Sequence, residues 1–213
     1  MMRQKRFSGK TAEEYNEIAQ EIFFPIYPVI ANQILEMTGI DHGSCLDAGS
    51  GPGHLAIALA TLSDLTVYSM DNSRPMNRIS RQNIARYRLD QRVIPVLGDV
   101  REIPYDDSSM DLVVSRGSFF FWENLSEGFS ECMRVLKPGR TAYIGGGFGN
   151  ARLREEISAQ MGERDPSWEE KRKCWYRNCS PHIVRAALAS AGIFEYDLID
   201  DDSGYWVTFT KNK

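Results

Sequence analysis

The sequence predicts an α/β fold, a mostly parallel sheet with helices on both faces. Three observations predict it. Short buried-strand runs alternate with helical periodicity from about residue 44 to 147. A glycine-rich turn, Gly49-Ser50-Gly51-Pro52-Gly53, stands between one such run and a helix. The chain then closes on two strand-like runs joined by Asp200-Asp201-Asp202-Ser203-Gly204, short enough for a hairpin. At 213 residues it suits one domain, since domains commonly hold roughly 100–250 residues.

Taken in order, Thr11 and Glu14 have the spacing of a capping box, and Tyr15, Ile18, Ala19, Ile22 and Phe23 share one helical face. That face must lie on something apolar. Pro25 and Pro28 interrupt the pattern before a second helix over about 28–37. Residues 1–40 therefore read as a jointed helical flap. Strands are expected at 44–48, 65–71, 93–99, 110–115 and 141–144, most with β-branched or aromatic residues. Between them fall helices, one over 76–89 and one near 125–136 whose Leu125, Phe129, Cys132, Met133 and Leu136 form a single stripe. Cys132 is thereby assigned to the core. The block 44–147 is the expected ligand-binding core and 148–213 the other side of the site. There, a helix is expected over 151–161, and Ser180 caps and Pro181 opens another that Gly192 closes. Strands at 194–199 and 205–210 complete seven, the last antiparallel at one end of the sheet.

Composition narrows the function. Lys and Arg number 25 against 29 Asp and Glu, a formal charge of −4, so no positive field draws in nucleic acid. No nucleic-acid partner is expected. No apolar run approaches the roughly 20 residues that cross a bilayer, so no membrane partner is expected either. The basic start is followed by the polar Ser8-Gly9-Lys10-Thr11 where a signal peptide has its apolar core, so a cytoplasmic protein is expected. The four cysteines lack the paired spacing of a zinc module, and no metal is expected. A monomer and a homodimer are equally compatible with the sequence.

The decisive segment is Cys45-Leu46-Asp47-Ala48-Gly49-Ser50-Gly51-Pro52-Gly53-His54-Leu55: a buried strand ending in an acid, a glycine turn, then a helix. Glycines admit sharp turns and close approach of a ligand to main chain, and the helix start presents unpaired amides. The dinucleotide fingerprint fails when counted from Gly49, because His54 stands where its third glycine belongs; counted from Gly51 it ends on Ala56, a tolerated variant. The run Asp-x-Gly-x-Gly-x-Gly resembles motif I of the class I S-adenosylmethionine-dependent methyltransferases. Further on, Val67-Tyr68-Ser69-Met70-Asp71, Val96-Leu97-Gly98-Asp99-Val100, Met110-Asp111-Leu112-Val113-Val114-Ser115-Arg116 and Arg134-Val135-Leu136-Lys137-Pro138-Gly139 are similar in wording and order to that family's later motifs.

The resemblance implies a Rossmann-like doubly wound sheet in the order 3-2-1-4-5-7-6, with S-adenosyl-L-methionine as cofactor across the carboxyl ends of the first two strands. It implies that Asp47, Gly49, Gly51 and Gly53 enclose the methionine part, that Asp71 takes the ribose hydroxyls, and that Asp99 and Val100 meet the adenine. His54 at the helix start, Asn72, Ser115 and Tyr15 of the flap join the expected cofactor-binding set.

Methyl transfer from a sulfonium is an in-line displacement on an electrophile already activated by its charge, so the protein chiefly aligns the two reactants. Ser115-Arg116-Gly117-Ser118 stands where amino-group methyltransferases of nucleic acids and some proteins carry Asn/Asp-Pro-Pro-Tyr/Phe, which argues against nucleobase N-methylation; a small-molecule acceptor is expected. Arg116 is a candidate catalytic-site residue, either pairing with a substrate carboxylate or phosphate or making a structural ion pair. Glu123 is a candidate base for an acidic hydroxyl. Phe119-Phe120-Phe121-Trp122 walls the acceptor or fills core. Cys174 and Cys179 are read as thiols without a metal, rather than as a soft-metalloid site. The charged run 169–173 is read as solvated surface. Rival readings are another transferase using the same cofactor, a cofactor-binding scaffold without turnover, and a nicotinamide oxidoreductase.

Overall fold

Met110, Leu112, Val113 and Val114 are so apolar a run that both of its faces must be covered, and in the structure they form a central strand. The structure is a computed structural model describing residues 9–213; the basic start lies outside the described residues. Two helices open the chain, α1 (Gly9–Glu21) and α2 (Ile26–Thr38). There follow β1 (His42–Ala48), α3 (His54–Leu62), β2 (Asp64–Asp71), α4 (Arg74–Arg86), β3 (Val93–Leu97), β4 (Met110–Arg116), α5 (Leu125–Val135) and β5 (Leu136–Gly147). The chain ends with α6 (Ala151–Arg164), α7 (Trp168–Asn178), α8 (Pro181–Ser190), β6 (Asp197–Asp201) and β7 (Gly204–Thr210).

The strands make one 7-stranded sheet in the order β3-β2-β1-β4-β5-β7-β6. Strand β1 runs parallel to β2 and β4, and β5 parallel to β4. Strand β7 is antiparallel as its hairpin requires and lies between β5 and the edge strand β6, the order that the resemblance implies. One core joins Ile30, Ile34, Leu59 and Ile157 to Leu112 and Val114; the other joins Phe129, Cys132, Val184 and Leu188 to Leu46 and Val113. Helices thus cover both faces, the doubly wound arrangement.

Several local expectations need correction. Helix α1 starts at Gly9, so Thr11 lies inside it and no Thr11–Glu14 capping box opens the helix. Helix α2 begins at Ile26 with Pro28 in its first turn, where a proline's missing N–H costs nothing. Strand β5 runs back to Leu136 and on through Gly147, and β3 stops at Leu97, short of Asp99. Strand β6 starts at Asp197, leaving Phe194 77% exposed. Ser180 occupies the cap position of α8 without a side-chain capping bond. Helix α7 was not expected at all.

Two motif residues are structural. Asp111, buried at the start of β4, accepts the Ser44 amide of β1 and pairs with Lys137 and Arg140 of β5, tying three strands together. Burial pushes its carboxyl up, but Lys137, the Ser44 amide and Arg140 outweigh that and hold it below the usual range. Arg134 pairs with Glu131 and Asp107 and donates to the carbonyls of Ile103 and Tyr105, fastening the loop after β3 to α5.

Candidate functional site

The carboxyl ends of β1 to β5 open on one side of the sheet, where an open α/β sheet binds its ligands. The loop after β1 turns through Gly49 (φ 75°), Gly51 (φ 54°) and Gly53 (φ 84°), all in the left-handed region. A Cβ on Gly49 would strike the Ser118 hydroxyl, and one on Gly53 would lie 2.5 Å from Ser80 Oγ. The loop is pinned to β2: the amides of Gly49 and Ser50 donate to Met70 O, and the Gly51 amide donates to Asp71 Oδ2 at 2.9 Å.

Two acids face this loop. Asp47, at the end of β1, is 1% exposed, and its Oδ2 has no partner among the described residues. Burial and the neighbouring Asp71 push its pKa up to about 7. Asp71 is also raised by burial, although the Ser73 and Gly51 amides pull it back. Two carboxylates in a low-dielectric crevice, one with an orphaned oxygen, form an acceptor set suited to a cation bearing hydroxyls.

Asp99 lies beyond β3, where Arg101 engages it through Nε and Nη2 at 3.0 and 2.9 Å. This Arg101 pairing holds the Asp99 carboxyl below its usual range, with a smaller contribution from Asn72. Arg101 also meets Glu123 at 2.5 Å. Glu123, the candidate base, is thus turned to a guanidinium beside Asp99. Val100 packs partly buried against the α5-side core. A cavity of about 520 Å³ opens beside Asp99, lined also by Gly98, Glu102 and Tyr105.

Ser115 is fully buried, its hydroxyl 2.6 Å from that of Ser118, which donates to Ala48 O and accepts from Trp122 Nε1. This chain fixes the loop after β4 against the end of β1. Of the aromatic run, Phe119 is core and Trp122 packs on Phe129, whereas Phe120 meets Tyr176 at a tilt and Phe121 meets Trp175 edge-on.

The flap covers the loop. Tyr15 of α1 lies over Gly51, 3.9 Å from where its Cβ would be. His54 is 4% exposed and meets Asn16 at 3.3 Å and the Tyr27 ring at 5.2 Å, so it faces the flap; burial lowers its pKa to about 4, leaving it neutral. Asn83 of α4 donates to Asn16 Oδ1 and Pro52 O and accepts from Gln20, tying α1 to the glycine loop. Asn83→Leu leaves those groups unpaired; we expect a loss of about 1–3 kcal/mol and faster limited proteolysis within α1. An unchanged cleavage rate would show that the network does not hold the flap.

Arg116 stands at the end of β4 with Nε and Nη2 on Gly147 O at 3.3 and 3.2 Å. Its guanidinium lies 5.2 Å from the Phe23 ring and 5.7 Å from that of Tyr27. It makes no ion pair among the described residues. Cys174 is exposed and Cys179 buried, and the described residues contain no group of three or more metal-ligating side chains. No described helix is long and apolar enough to cross a membrane.

A family profile described as "Methyltransferase domain" matches residues 46–144. A solved structure from Methanococcus maripaludis, assigned as an S-adenosyl-L-methionine-dependent methyltransferase, is 43% identical, with 100% of this chain and 97% of that one covered and a TM-score of 0.94. The chain belongs to the S-adenosylmethionine-dependent methyltransferase family. Two curated relatives match at lower identity. A malonyl-[acyl-carrier protein] O-methyltransferase of Geobacter sulfurreducens is 30% identical over 79% of this chain and 62% of its own length. A demethylmenaquinone methyltransferase of Chlorobaculum parvum is 27% identical over 72% and 55% respectively. The chain therefore spans less than two thirds of these two curated relatives.

The family's cofactor, S-adenosylmethionine, carries an ammonium, a sulfonium and ribose hydroxyls. The residues fit it: the two raised acids, the orphaned Asp47 oxygen and the glycine-rich loop match a cationic polyol in close contact with main chain. Sequence reasoning missed Arg101 and Asn83, which carry no motif. It also missed the inward face of α7, visible only as the i, i+4, i+7, i+8 spacing of Trp168, Arg172, Trp175 and Tyr176.

Proposed function

We propose that the chain transfers a methyl group from S-adenosylmethionine to a small anionic acceptor, and that it works as one domain. The observation that carries this reading is the buried Asp47 carboxylate, with an unpartnered oxygen, facing Asp71 across a three-glycine loop. When bound, the cofactor supplies an activated methyl group. Asp47 faces its ammonium, directly or through water, while the glycine loop admits the methionine part. Asp71 takes the ribose hydroxyls, and Asp99 with Val100 borders the adenine, Arg101 holding the Asp99 carboxylate in place. Tyr15 closes over the loop and excludes water. Arg116, with no carboxylate partner among the described residues, orients the anionic acceptor. No general base is required for an acceptor that is already nucleophilic.

Calorimetry with S-adenosylmethionine, S-adenosylhomocysteine and NAD tests this. Micromolar binding of both adenosyl ligands and none of NAD is expected; NAD binding alone would overturn the assignment. Turnover is then read as S-adenosylhomocysteine release across small acids and their neutral amides, the acids being the expected substrates. Binding without turnover of any acid would favour a scaffold.

The two unusual titrations predict a pH signature. Asp47, raised in the fold, contributes stability that is full below about pH 4 and lost as pH rises toward about 7. His54, lowered in the fold, contributes stability that is present above about pH 6.5 and lost as pH falls toward about 4. The slopes oppose, each at most about 1.4 kcal/mol per pH unit. Asp47→Asn should unmask the histidine, making urea-derived stability fall by about 2 kcal/mol from pH 6.5 to 5, relative to the wild-type change. Parallel pH profiles for the two proteins would show that Asp47 titrates normally.

A further inference from the structure

The charged run of α7 is not plain solvated surface. Trp168, Arg172, Trp175 and Tyr176 share one face of that helix and turn it toward the flap and the loop after β4: Trp168 meets Phe23 at 5.9 Å, Trp175 meets Phe121 at 5.2 Å, and Tyr176 meets Phe120 at 5.0 Å. Arg172 lies over the Tyr176 ring at 5.8 Å. Burial raises the Tyr176 phenol, while Arg172 and Arg116 both pull it down.

Two buried donors of this corner lack an acceptor among the described residues. Trp168 Nε1 and Arg172 Nε are buried N–H groups with no partner among the described residues, although Arg172 Nη2 reaches Glu169 at 2.9 Å. Among the described residues Arg116 donates only to the carbonyl of Gly147, and the Tyr176 hydroxyl is 3.5 Å from the carbonyl of Gly146. A buried donor without an acceptor is costly, so such a pair is better explained by a missing acceptor group than by packing. The aromatic faces around it suit a flat body.

Building on the acceptor reading above, we infer that α7 forms the second wall of the acceptor site. Arg172 and Trp168 join Arg116 around an oxyanion carried on a flat, ring-like small molecule. Arg172 is here a binding residue, and the substrate class is an aromatic carboxylate or phosphate.

The test uses the full chain saturated with S-adenosylhomocysteine, titrated with benzoate, phenyl phosphate and neutral benzamide by calorimetry and tryptophan fluorescence. At least one acid should bind about tenfold or more tightly than benzamide, and benzoate against phenyl phosphate tells carboxylate from phosphate. Arg172→Met should weaken the acid about tenfold and Arg172→Lys less, both with unchanged S-adenosylhomocysteine affinity, which reports an intact fold. The inference is overturned if no acid binds, if benzamide binds as well, or if Arg172→Met binds the acid like wild type. Failure of S-adenosylhomocysteine to bind wild type, seen before any acid is added, overturns instead the cofactor reading beneath it.

Discussion

Asp71→Ala should bind S-adenosylhomocysteine roughly 10- to 150-fold more weakly than wild type, a loss of about 1.5–3 kcal/mol. The carboxylate is assigned the ribose hydroxyls, and hydrogen bonds to a charged group lie in that range. It also holds the cradle: Asp71 Oδ2 accepts the Gly51 amide and Oδ1 the Ser73 amide at 2.8 Å. Asp71→Asn separates the two contributions. One amide oxygen can still accept from the loop, but the charge is gone, so its affinity should fall between those of wild type and Asp71→Ala. Calorimetry that finds Asp71→Ala within twofold of wild type would remove Asp71 from the site.

The largest effect on stability should come from Gly147→Ala. A Cβ there would enter the backbone of Ser203 and Gly204, where β7 meets β5, and main chain cannot swing aside as a side chain can. Overpacking of this kind commonly costs about 1–3 kcal/mol, and we expect the upper end or more because no rotamer relieves it. Gly147 O is also the acceptor for Arg116, so the displaced strand carries the acceptor site with it. Gly117→Ala provides the contrast. Nothing lies within 4 Å of its Cβ, and only its φ of 75° resists, a penalty of about 1–2 kcal/mol. Equal melting temperatures for Gly147→Ala and wild type would show that the β5–β7 junction yields.

Much of the core was legible because its signals are local. The glycine loop, the acids closing β1 and β2 and the hairpin at the end are each written in a few adjacent residues, and the family resemblance supplies the strand order. Pairings that join distant segments were not legible. Nothing in Arg101 announces that it links Asp99 to Glu123, and nothing in Asn83 says that it meets Asn16, 67 residues away. Helix α7 was obscured for a different reason. Its charges at 169–171 and 173 sit on the outer face and swamp a short aromatic stripe, and its length of 11 residues leaves little periodicity to read. His54, expected at the cofactor from its place at the helix start, packs against Asn16 and Tyr27 of the flap.

The two edges of the sheet bear on how copies of the chain can meet. Strand β3 is 5 residues long and carries Pro95, which has no amide to offer a neighbouring strand. At the far edge, β6 brings Asp197, Asp200 and Asp201, with Asp202 in the turn that follows. A second chain approaching edge-on meets a broken ladder on one side and crowded negative charge on the other. Open-ended stacking of sheets is thus disfavoured at both margins, and any self-association is left to the helical faces.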